Sequence, residues 1–323
     1  MAYNGKLVTV FGGSGFVGRY VCGELAKRGY RVRAAVRRPD LAQHLQPLAP
    51  AGQIQAVQAN LRYRWSVDRA VEGADHVINL VAILAESGKQ TFDAVQAFGA
   101  RAVAEACREK GVGLTHVSAI GADVNSRADY GRTKGEAEQA VIETVPSANI
   151  IRPSIIFGAE DAFFNRFAKM ATLSPIIPLI GAGTKFQPVY VDDVAKAIVN
   201  AMEASMASLG QPGKIYEVGG PEVKTFRELI EQMLTVINRK PGIANIPFPI
   251  AMLQGKILGL LPNAPITADQ VEMLKTDNIV SADAKAENRT LSDLGVSATS
   301  LASVLPNYLY VYRDKGQYAD NLD

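Results

Sequence analysis

The most constraining feature of this sequence is an apolar strand pattern that runs into a cluster of glycines and then into helical periodicity. Leu7–Phe11 is rich in apolar and β-branched residues, and residues 12–18 read Gly-Gly-Ser-Gly-Phe-Val-Gly. The residues that follow have helical spacing. A strand, a tight turn and a helix in this order are typical of the first unit of a dinucleotide-binding sheet.

Each glycine of the G-x-x-G-x-x-G pattern has an expected role. Gly12 lets the chain turn sharply off the strand, Gly15 removes a side chain where a pyrophosphate comes close, and Gly18 allows close packing of the helix. Backbone N–H groups at the helix start then face the phosphates, where the helix dipole favours negative charge. The turn therefore predicts phosphate binding.

Length and composition set the scale of the fold. The chain has 323 residues, of which 48% are hydrophobic and 20% are charged. These values fit a globular protein with one large α/β domain, or a nucleotide domain that carries a smaller second lobe. Because the net charge is +2 without a long basic run, no nucleic-acid surface is expected.

The cysteines and histidines give no metal-ligand pattern. Cys22 and Cys107 lie in separate helical patterns, where reduced, buried thiols are expected and a reducing compartment fits. His44, His76 and His116 do not cluster in the sequence, so we predict no metal site.

The amino terminus bears on location. Residues 1–6 lead straight into the first strand, which leaves no room for a signal peptide. No apolar run reaches the roughly 18 residues that span a bilayer. We expect a cytoplasmic protein, or one bound peripherally to the cytoplasmic face of the inner membrane.

Strand patterns alternate with helical patterns, which predicts an α/β fold with a Rossmann-type, doubly wound parallel sheet. After the first strand, the predicted strands are Arg31–Val36, Ile54–Gln58, His76–Val81, Gly113–Ser118 and Asn149–Arg152. Prolines break this rhythm after Pro153. We therefore assign residues 1–153 to the nucleotide domain and 154–323 mainly to a smaller, interleaved substrate or interaction lobe.

The second part is predicted to return to the sheet twice. The first return, near 186–203, is a strand at Pro188–Val191 with a helix at Val194–Met202. The second, near 213–220, is a strand at Ile215–Val218.

Side chains at three predicted strand ends point to a particular dinucleotide. Arg37 and Arg38 follow strand two, where NAD-dependent dehydrogenases place an acidic residue. Two guanidinium groups suit a 2′-phosphate, which predicts NADPH over NADH. Asn60 and Leu61 follow strand three and could meet the adenine. Residues 79–82 end strand four, where a doubly wound sheet opens its crevice.

Tyr130 and Lys134 form a Y-x-x-x-K pair on one face of a predicted helix. An ammonium beside the phenol would lower the pKa of Tyr130, which could then serve as general acid or base in hydride transfer. Ser118, twelve residues before Tyr130, could orient a carbonyl.

Together these motifs resemble the extended and atypical short-chain dehydrogenase/reductases. The glycine turn, the Y-x-x-x-K pair, residues 152–158 and residues 188–194 carry the resemblance. Residues 10–21, 77–80, 116–118, 152–161, 187–193 and 266–272 more specifically resemble the NADPH-binding, reductase-like accessory subunit family of respiratory complex I and its bacterial relatives.

The resemblance implies a tightly held NADPH with a largely structural role. The implied cofactor-binding residues are Gly12, Ser14, Gly15, Phe16, Val17, Gly18, Arg37, Arg38, Asn60, Leu61, Leu80, Val81 and Ala82. Tyr130, Lys134 and the loop residues Pro153, Ser154, Ile155 and Ile156 would line the nicotinamide side.

Three functions remain open on the sequence. The first is an accessory or assembly subunit of complex I. The second is an NADPH-dependent reductase of a carbonyl or quinone-like substrate that uses Tyr130 and Lys134, and the third is a sugar-nucleotide epimerase or dehydratase.

Two C-terminal features suggest partners. Residues 248–261 are strongly apolar, which fits either a core helix or a surface that rests on membrane or on another subunit. Tyr308, Tyr310, Tyr312 and Tyr318 have the aromatic character of an interface.

Overall fold

The computed structural model describes residues 4–208, 210–258 and 266–316, which form two compact units. Unit 1 comprises described residues within 4–153, 192–218 and 281–297, and unit 2 those within 154–191, 219–280 and 298–316. Tyr318 and residues 259–261 of the apolar stretch lie outside the described residues.

Unit 1 contains a seven-stranded parallel sheet in the order β11-β6-β5-β4-β1-β2-β3. The described strands are β1 Leu7–Phe11, β2 Arg31–Val36, β3 Ile54–Gln58, β4 His76–Asn79, β5 Gly113–Val117, β6 Asn149–Pro153, β7 Ile156–Phe157, β8 Ile176–Ile180, β9 Lys185–Phe186, β10 Val189–Tyr190, β11 Ile215–Val218, β12 Lys224–Thr225 and β13 Gly242–Ile246. The predicted parallel α/β sheet is therefore confirmed, although β4 ends two residues and β5 one residue before the predicted positions.

The strand order reverses beside β1. The chain passes from β1 to β2 and β3 on one side and continues with β4, β5 and β6 on the other. Phe11 pairs with Ala35 of β2 and with Asn79 of β4, so these three strands end at the same edge. In open α/β sheets a ligand crevice forms at such a reversal.

Helices follow the strands in both units. They are α1 Phe16–Lys27, α2 Arg64–Val71, α3 Phe98–Lys110, α4 Asp129–Thr144, α5 Phe164–Leu173, α6 Val191–Ala207, α7 Phe226–Val236, α8 Phe248–Leu258, α9 Ala268–Met273, α10 Ala282–Ala286, α11 Leu301–Val304 and α12 Pro306–Leu309. In unit 1, α3 contacts α2 and α4, and their small apolar residues share one core with β1, β4 and β5.

The strand expected at Pro188–Val191 was assigned to the wrong sheet. Val189 and Tyr190 form β10, which pairs with Ile156 and Phe157 of β7 inside unit 2. A two-residue apolar strand carries no information about its partner, so its sheet could not be read from the pattern. By contrast, β11 pairs with β6 in the main sheet as predicted.

Unit 2 has its own apolar core, which includes part of the C-terminal tail. The Tyr308 hydroxyl donates to Asp161, and the Tyr312 hydroxyl donates to Asn165 at 2.9 Å. Both rings also pack on the unit 2 core. Tyr308 and Tyr312 therefore stabilise unit 2 itself, and the role of these tyrosines at an interface stays a prediction.

Helix α8, within the apolar stretch, is buried on one face and exposed on the other. Its inner face is buried at Ala251 and Gly255, whereas Ile250, Leu253 and Ile257 are 52–61% exposed on the other face. Within the described part of the chain, no helix has both the length and the apolar character needed to cross a bilayer.

Candidate functional site

The glycine-rich turn begins where β1 ends. Gly12 has φ +80°, its N–H donates to Ala35, and its carbonyl accepts from the N–H of Gly15 at 3.0 Å. Helix α1 then starts at Phe16 with Gly15 as its N-cap. The turn thus presents the start of a helix, with its unpaired N–H groups, at the carboxyl edge of the sheet.

Two glycines of this turn leave no room for a side chain. A Cβ at Gly18 would lie 2.2 Å from the Gly12 carbonyl oxygen, and one at Gly13 would lie 2.9 Å from Ala34. A Cβ at Gly15 would meet only the Gly12 oxygen, at 3.3 Å, and Gly15 itself is exposed. An open backbone above a tightly packed base fits the approach of a pyrophosphate.

The end of β4 lies against the same turn. A Cβ at Gly12 would contact Val81 at 3.4 Å and the Leu80 carbonyl carbon at 3.5 Å, and the Leu80 N–H donates to Phe11. Leu80 and Val81 are half-buried and Ala82 is exposed. The structure thus brings Leu80 and Val81 to the reversal of strand order, beside Gly12.

The residues after β2 include an ion pair. Arg38 makes a two-point contact with Asp40, at 3.1 and 2.7 Å, and this partner raises the pKa of Arg38 and lowers that of Asp40. Arg37 is exposed and donates to the Gln90 side chain at 3.0 Å. The nearby carboxylate is therefore paired with a guanidinium.

Asn60 and Leu61 have local structural contacts. The Asn60 side-chain oxygen accepts from the Arg62 N–H at 3.2 Å. Leu61 is 6% exposed and packs in the unit 1 core, where a Cβ on Gly99 would be 3.0 Å away. Their contact with an adenine stays a prediction, and Leu61 has little free surface for it.

Tyr130 and Lys134 lie one turn apart on α4, as predicted. The half-buried Tyr130 ring packs edge-on against Phe92, with ring centres 6.0 Å apart. Phe92 directly precedes a π-helical turn, Asp93–Ala97, that leads into α3. π-Helical turns are frequent at functional sites.

Burial changes the protonation expected for this pair. It raises the pKa of Tyr130 to about 12, which is the reverse of the predicted lowering. Lys134 is 2% exposed, burial lowers its pKa to about 8, and its Nζ donates to the Val117 carbonyl at 3.0 Å. Tyr130 is protonated at neutral pH, and the raised pKa makes its phenol a weaker acid than an exposed tyrosine.

Ser118 follows β5 and is 4% exposed, and its hydroxyl has no hydrogen-bond partner among the described residues. Two residues earlier, His116 is also buried, and its Nδ1 lies 3.2 Å from the Asn79 side-chain nitrogen. Because Asn79 Oδ1 accepts from the Val81 N–H, its amide nitrogen faces His116 as a donor. His116 Nδ1 is then the acceptor, and Nε2 carries the ring proton.

Two of the histidines, His76 and His116, are buried in unit 1. Burial lowers the pKa of His76 to about 3, and burial together with the nearby charge of Lys134 lowers the pKa of His116 to about 3. His76 bonds Thr115 at 3.0 Å. Across the described ranges, no group of three or more His, Cys, Asp or Glu side chains could hold a metal ion.

The predicted nicotinamide loop is divided between the units. Pro153 ends β6 in unit 1, whereas Ser154, Ile155 and Ile156 belong to unit 2. There the Ser154 hydroxyl bonds Asn278 and accepts from the Gln187 N–H. The proximity of these three residues to the cofactor stays a prediction.

Two polar side chains were missed by the sequence analysis, one beside the glycine-rich turn and one beside α4. His44 lies 3.2 Å from the Ser14 carbonyl, and Gln96 is buried on the π-helical turn with its amide directed at Thr133. His44 is thirty positions from Ser14, so no short motif could link them. For Gln96, a polar residue within an apolar helical pattern was the available signal.

Unit 1 has the architecture of a dinucleotide-binding protein, with a glycine-rich turn at the reversal of strand order and a Tyr-Lys pair on α4. The chain belongs to the NAD dependent epimerase/dehydratase family, which matches residues 8–219. It is therefore a member of an NAD(P)-binding family.

The chain is similar over most of its length to subunits of a mitochondrial NADH dehydrogenase. The chain is 35% identical to NADH dehydrogenase (ubiquinone) 1 alpha subcomplex subunit 9, mitochondrial, of Arabidopsis thaliana, over 97% of this chain and 79% of the relative. The Mus musculus protein of the same name is also 35% identical, over 92% and 78% respectively. The predicted family resemblance is thus confirmed.

A solved structure supports the fold. An NADPH-dependent quinone oxidoreductase from Escherichia coli, complexed with NADPH, superposes with a TM-score of 0.69 over 94% of this chain and 98% of that one. At 20% identity this likeness concerns the fold alone.

Proposed function

We propose that this protein is an accessory subunit of the respiratory NADH dehydrogenase complex and holds NADPH mainly as a structural component. The observation that carries the proposal is the 35% identity to two complex I subunits over 92% or more of the chain. On this proposal the protein lies at the membrane periphery, on the cytoplasmic face of the inner membrane.

The preference for NADPH is supported by the charges after β2. A free carboxylate there would accept hydrogen bonds from the ribose hydroxyls of NADH, but Asp40 is paired with Arg38. Arg37 remains exposed with a guanidinium that suits phosphate oxygens.

A structural role follows from binding linkage. A ligand that binds only the folded protein stabilises it by roughly 3–4 kcal/mol when its concentration exceeds the dissociation constant several-hundred-fold. Bound NADPH, when present, could also supply a hydride, and the phenol of Tyr130 could supply the proton. The placement of Tyr130 and Lys134 one turn apart on α4 is the observation that favours the alternative, a reductase.

Complementation separates the two functions. In cells that lack this chain, the wild type and Tyr130→Phe should restore the NADH dehydrogenase complex to the same level if the role is accessory. Gly18→Ala should restore less, because it disrupts the glycine turn that the cofactor needs. The reductase is favoured if Tyr130→Phe binds NADPH and accumulates like the wild type yet fails to restore the NADH dehydrogenase complex. Loss of the proton donor would then lower the reaction rate about 10²–10⁴-fold.

We further propose that the exposed face of α8 contacts the membrane surface. Ile250, Leu253 and Ile257 are spaced three and four residues apart, and Lys256 is the only charged residue of the helix. Such a face suits the boundary between headgroups and acyl chains.

Vesicle binding tests this contact. Leu253→Ser should weaken cosedimentation with anionic phospholipid vesicles, whereas Leu173→Ser, at a site 77% exposed outside α8, should not. Equal binding by both variants and the wild type would contradict membrane contact by α8.

A further inference from the structure

His44 joins the segment after β2 to the glycine-rich turn. It lies on a 3-10 turn, Gln43–Leu48, and its Nε2 is 3.2 Å from the Ser14 carbonyl oxygen. Since a carbonyl oxygen only accepts, Nε2 must carry the proton of this hydrogen bond. His44 itself is exposed, and among the described residues its Nδ1 has no hydrogen-bond partner.

The position of this imidazole follows from the strand register. Phe11 pairs with Ala35, so Ser14 and Arg37 leave neighbouring strands at one edge of the sheet. The glycine turn is where a pyrophosphate is expected, and the end of β2 is where the adenosine ribose is expected. His44 belongs to the segment after β2 and contacts the turn, so it lies between these two expected positions.

The two arginines at this edge of the sheet, Arg37 and Arg38, already donate hydrogen bonds to other side chains. Both points of the Arg38 fork contact Asp40, and Arg37 gives one Nη to Gln90. A dianionic phosphate at the ribose therefore meets two arginines that already share some of their donors with Gln90 and Asp40. A further donor without such a partner would add to them.

We propose that His44 is that donor and contacts the 2′-phosphate of NADPH through Nδ1, which makes it a determinant of cofactor specificity. The inference rests on the proposed NADPH binding. Nε2 keeps its bond to Ser14, so a contact from Nδ1 to the phosphate requires the imidazolium form, in which both ring nitrogens are donors. The resulting bond is charge-assisted and is made only when a 2′-phosphate is present.

A purely structural role makes a different prediction. If His44 only holds its 3-10 turn against Ser14, its loss should weaken NADPH and NADH equally, since both share the pyrophosphate and adenosine. If it contacts the 2′-phosphate, only NADPH should be affected. The ratio of the two dissociation constants therefore distinguishes the roles without any activity assay.

The experiment measures NADPH and NADH binding by isothermal titration to the full chain and to His44→Gln. Gln43→Ala is the matched control for a general disturbance of the turn, because Gln43 lies on the same 3-10 turn and lines a groove with Asp40, Gln46 and Ile54. We expect His44→Gln to reduce the preference for NADPH about tenfold, as loss of a hydrogen bond to a charged group does. Its NADH dissociation constant and both constants of Gln43→Ala should stay within about twofold of the wild type.

The outcomes separate this inference from the function on which it rests. A wild type that prefers NADPH, with an unchanged preference in His44→Gln, overturns the role of His44 alone. Equal weakening of both nucleotides also overturns it, in favour of the structural role. A wild type that prefers NADH contradicts the NADPH proposal itself.

Discussion

The two buried histidines should make unit 1 unstable in mild acid. His76 and His116 are each about 1% exposed on neighbouring strands β4 and β5, and burial lowers the pKa of each to about 3 from an ordinary value near 6.5. The unfolded state therefore binds more protons than the folded state between these values. Stability is complete above about pH 6.5 and falls as the pH drops towards 3.

The magnitude follows from the linkage relation. At pH 5 an unfolded histidine of pKa 6.5 gains about 2 kcal/mol from protonation, and the folded one gains almost nothing while its pKa stays below about 4. The two histidines together should remove about 4 kcal/mol of the free energy of unfolding between pH 7.5 and pH 5. This loss is a large part of the 5–15 kcal/mol typical of folded proteins.

Urea unfolding followed by Trp65 fluorescence measures this loss, because the single tryptophan of the chain lies on α2 in unit 1. His76→Gln and His116→Gln should each remove about half of the pH dependence, whatever they do to stability at pH 7.5. The exposed His44, replaced by Gln, is the control and should leave the dependence unchanged. Equal pH dependence in all four proteins would refute the reasoning.

Three further predictions concern the glycine turn, a buried ion pair and a helix cap. Gly18→Ala should abolish the thermal stabilisation by NADPH, whereas Gly23→Ala in the same helix, where a Cβ meets only one atom at 4.0 Å, should bind normally and gain up to about 1 kcal/mol. Glu138→Gln should cost about 3 kcal/mol in urea unfolding, because it leaves the part-buried Arg152 guanidinium, now 2.8 Å from this carboxylate, without its main partner. Thr225→Ala should cost about 1 kcal/mol in thermal melts, since it removes the capping box of α7, and no loss would contradict that assignment.

The sheet of unit 1 could be predicted because its signals are local. Runs such as Arg31–Val36 and Ile54–Gln58 are bounded by turn residues and became strands with the predicted limits. The glycine turn could also be predicted, because the positive φ of Gly12 and the close approach of Gly18 to the Gly12 carbonyl are set within seven residues. Short strands failed: Val189–Tyr190 pairs with β7 because tertiary packing, and not periodicity, selects its partner.

The features that could not be predicted depend on contacts between residues that are distant in the chain. The sequence around residues 281–297 gives no sign that it joins unit 1, where the Ser281 N–H donates to Glu217 at 2.8 Å. The predicted direction of the Tyr130 pKa shift was also wrong. Lys134 donates its hydrogen bond to the Val117 carbonyl, and burial sets the pKa of Tyr130. Spacing places two side chains on one helix face, but solvation is set by residues distant in the chain.

The most direct test of the proposed function is native electrophoresis of membranes solubilised in mild detergent, with this chain and NADH dehydrogenase activity detected in the same lane. We predict that the chain migrates with the large, active complex and that NADPH is released when the band is denatured. Migration of the whole population as a small species, separate from the activity, would contradict the account.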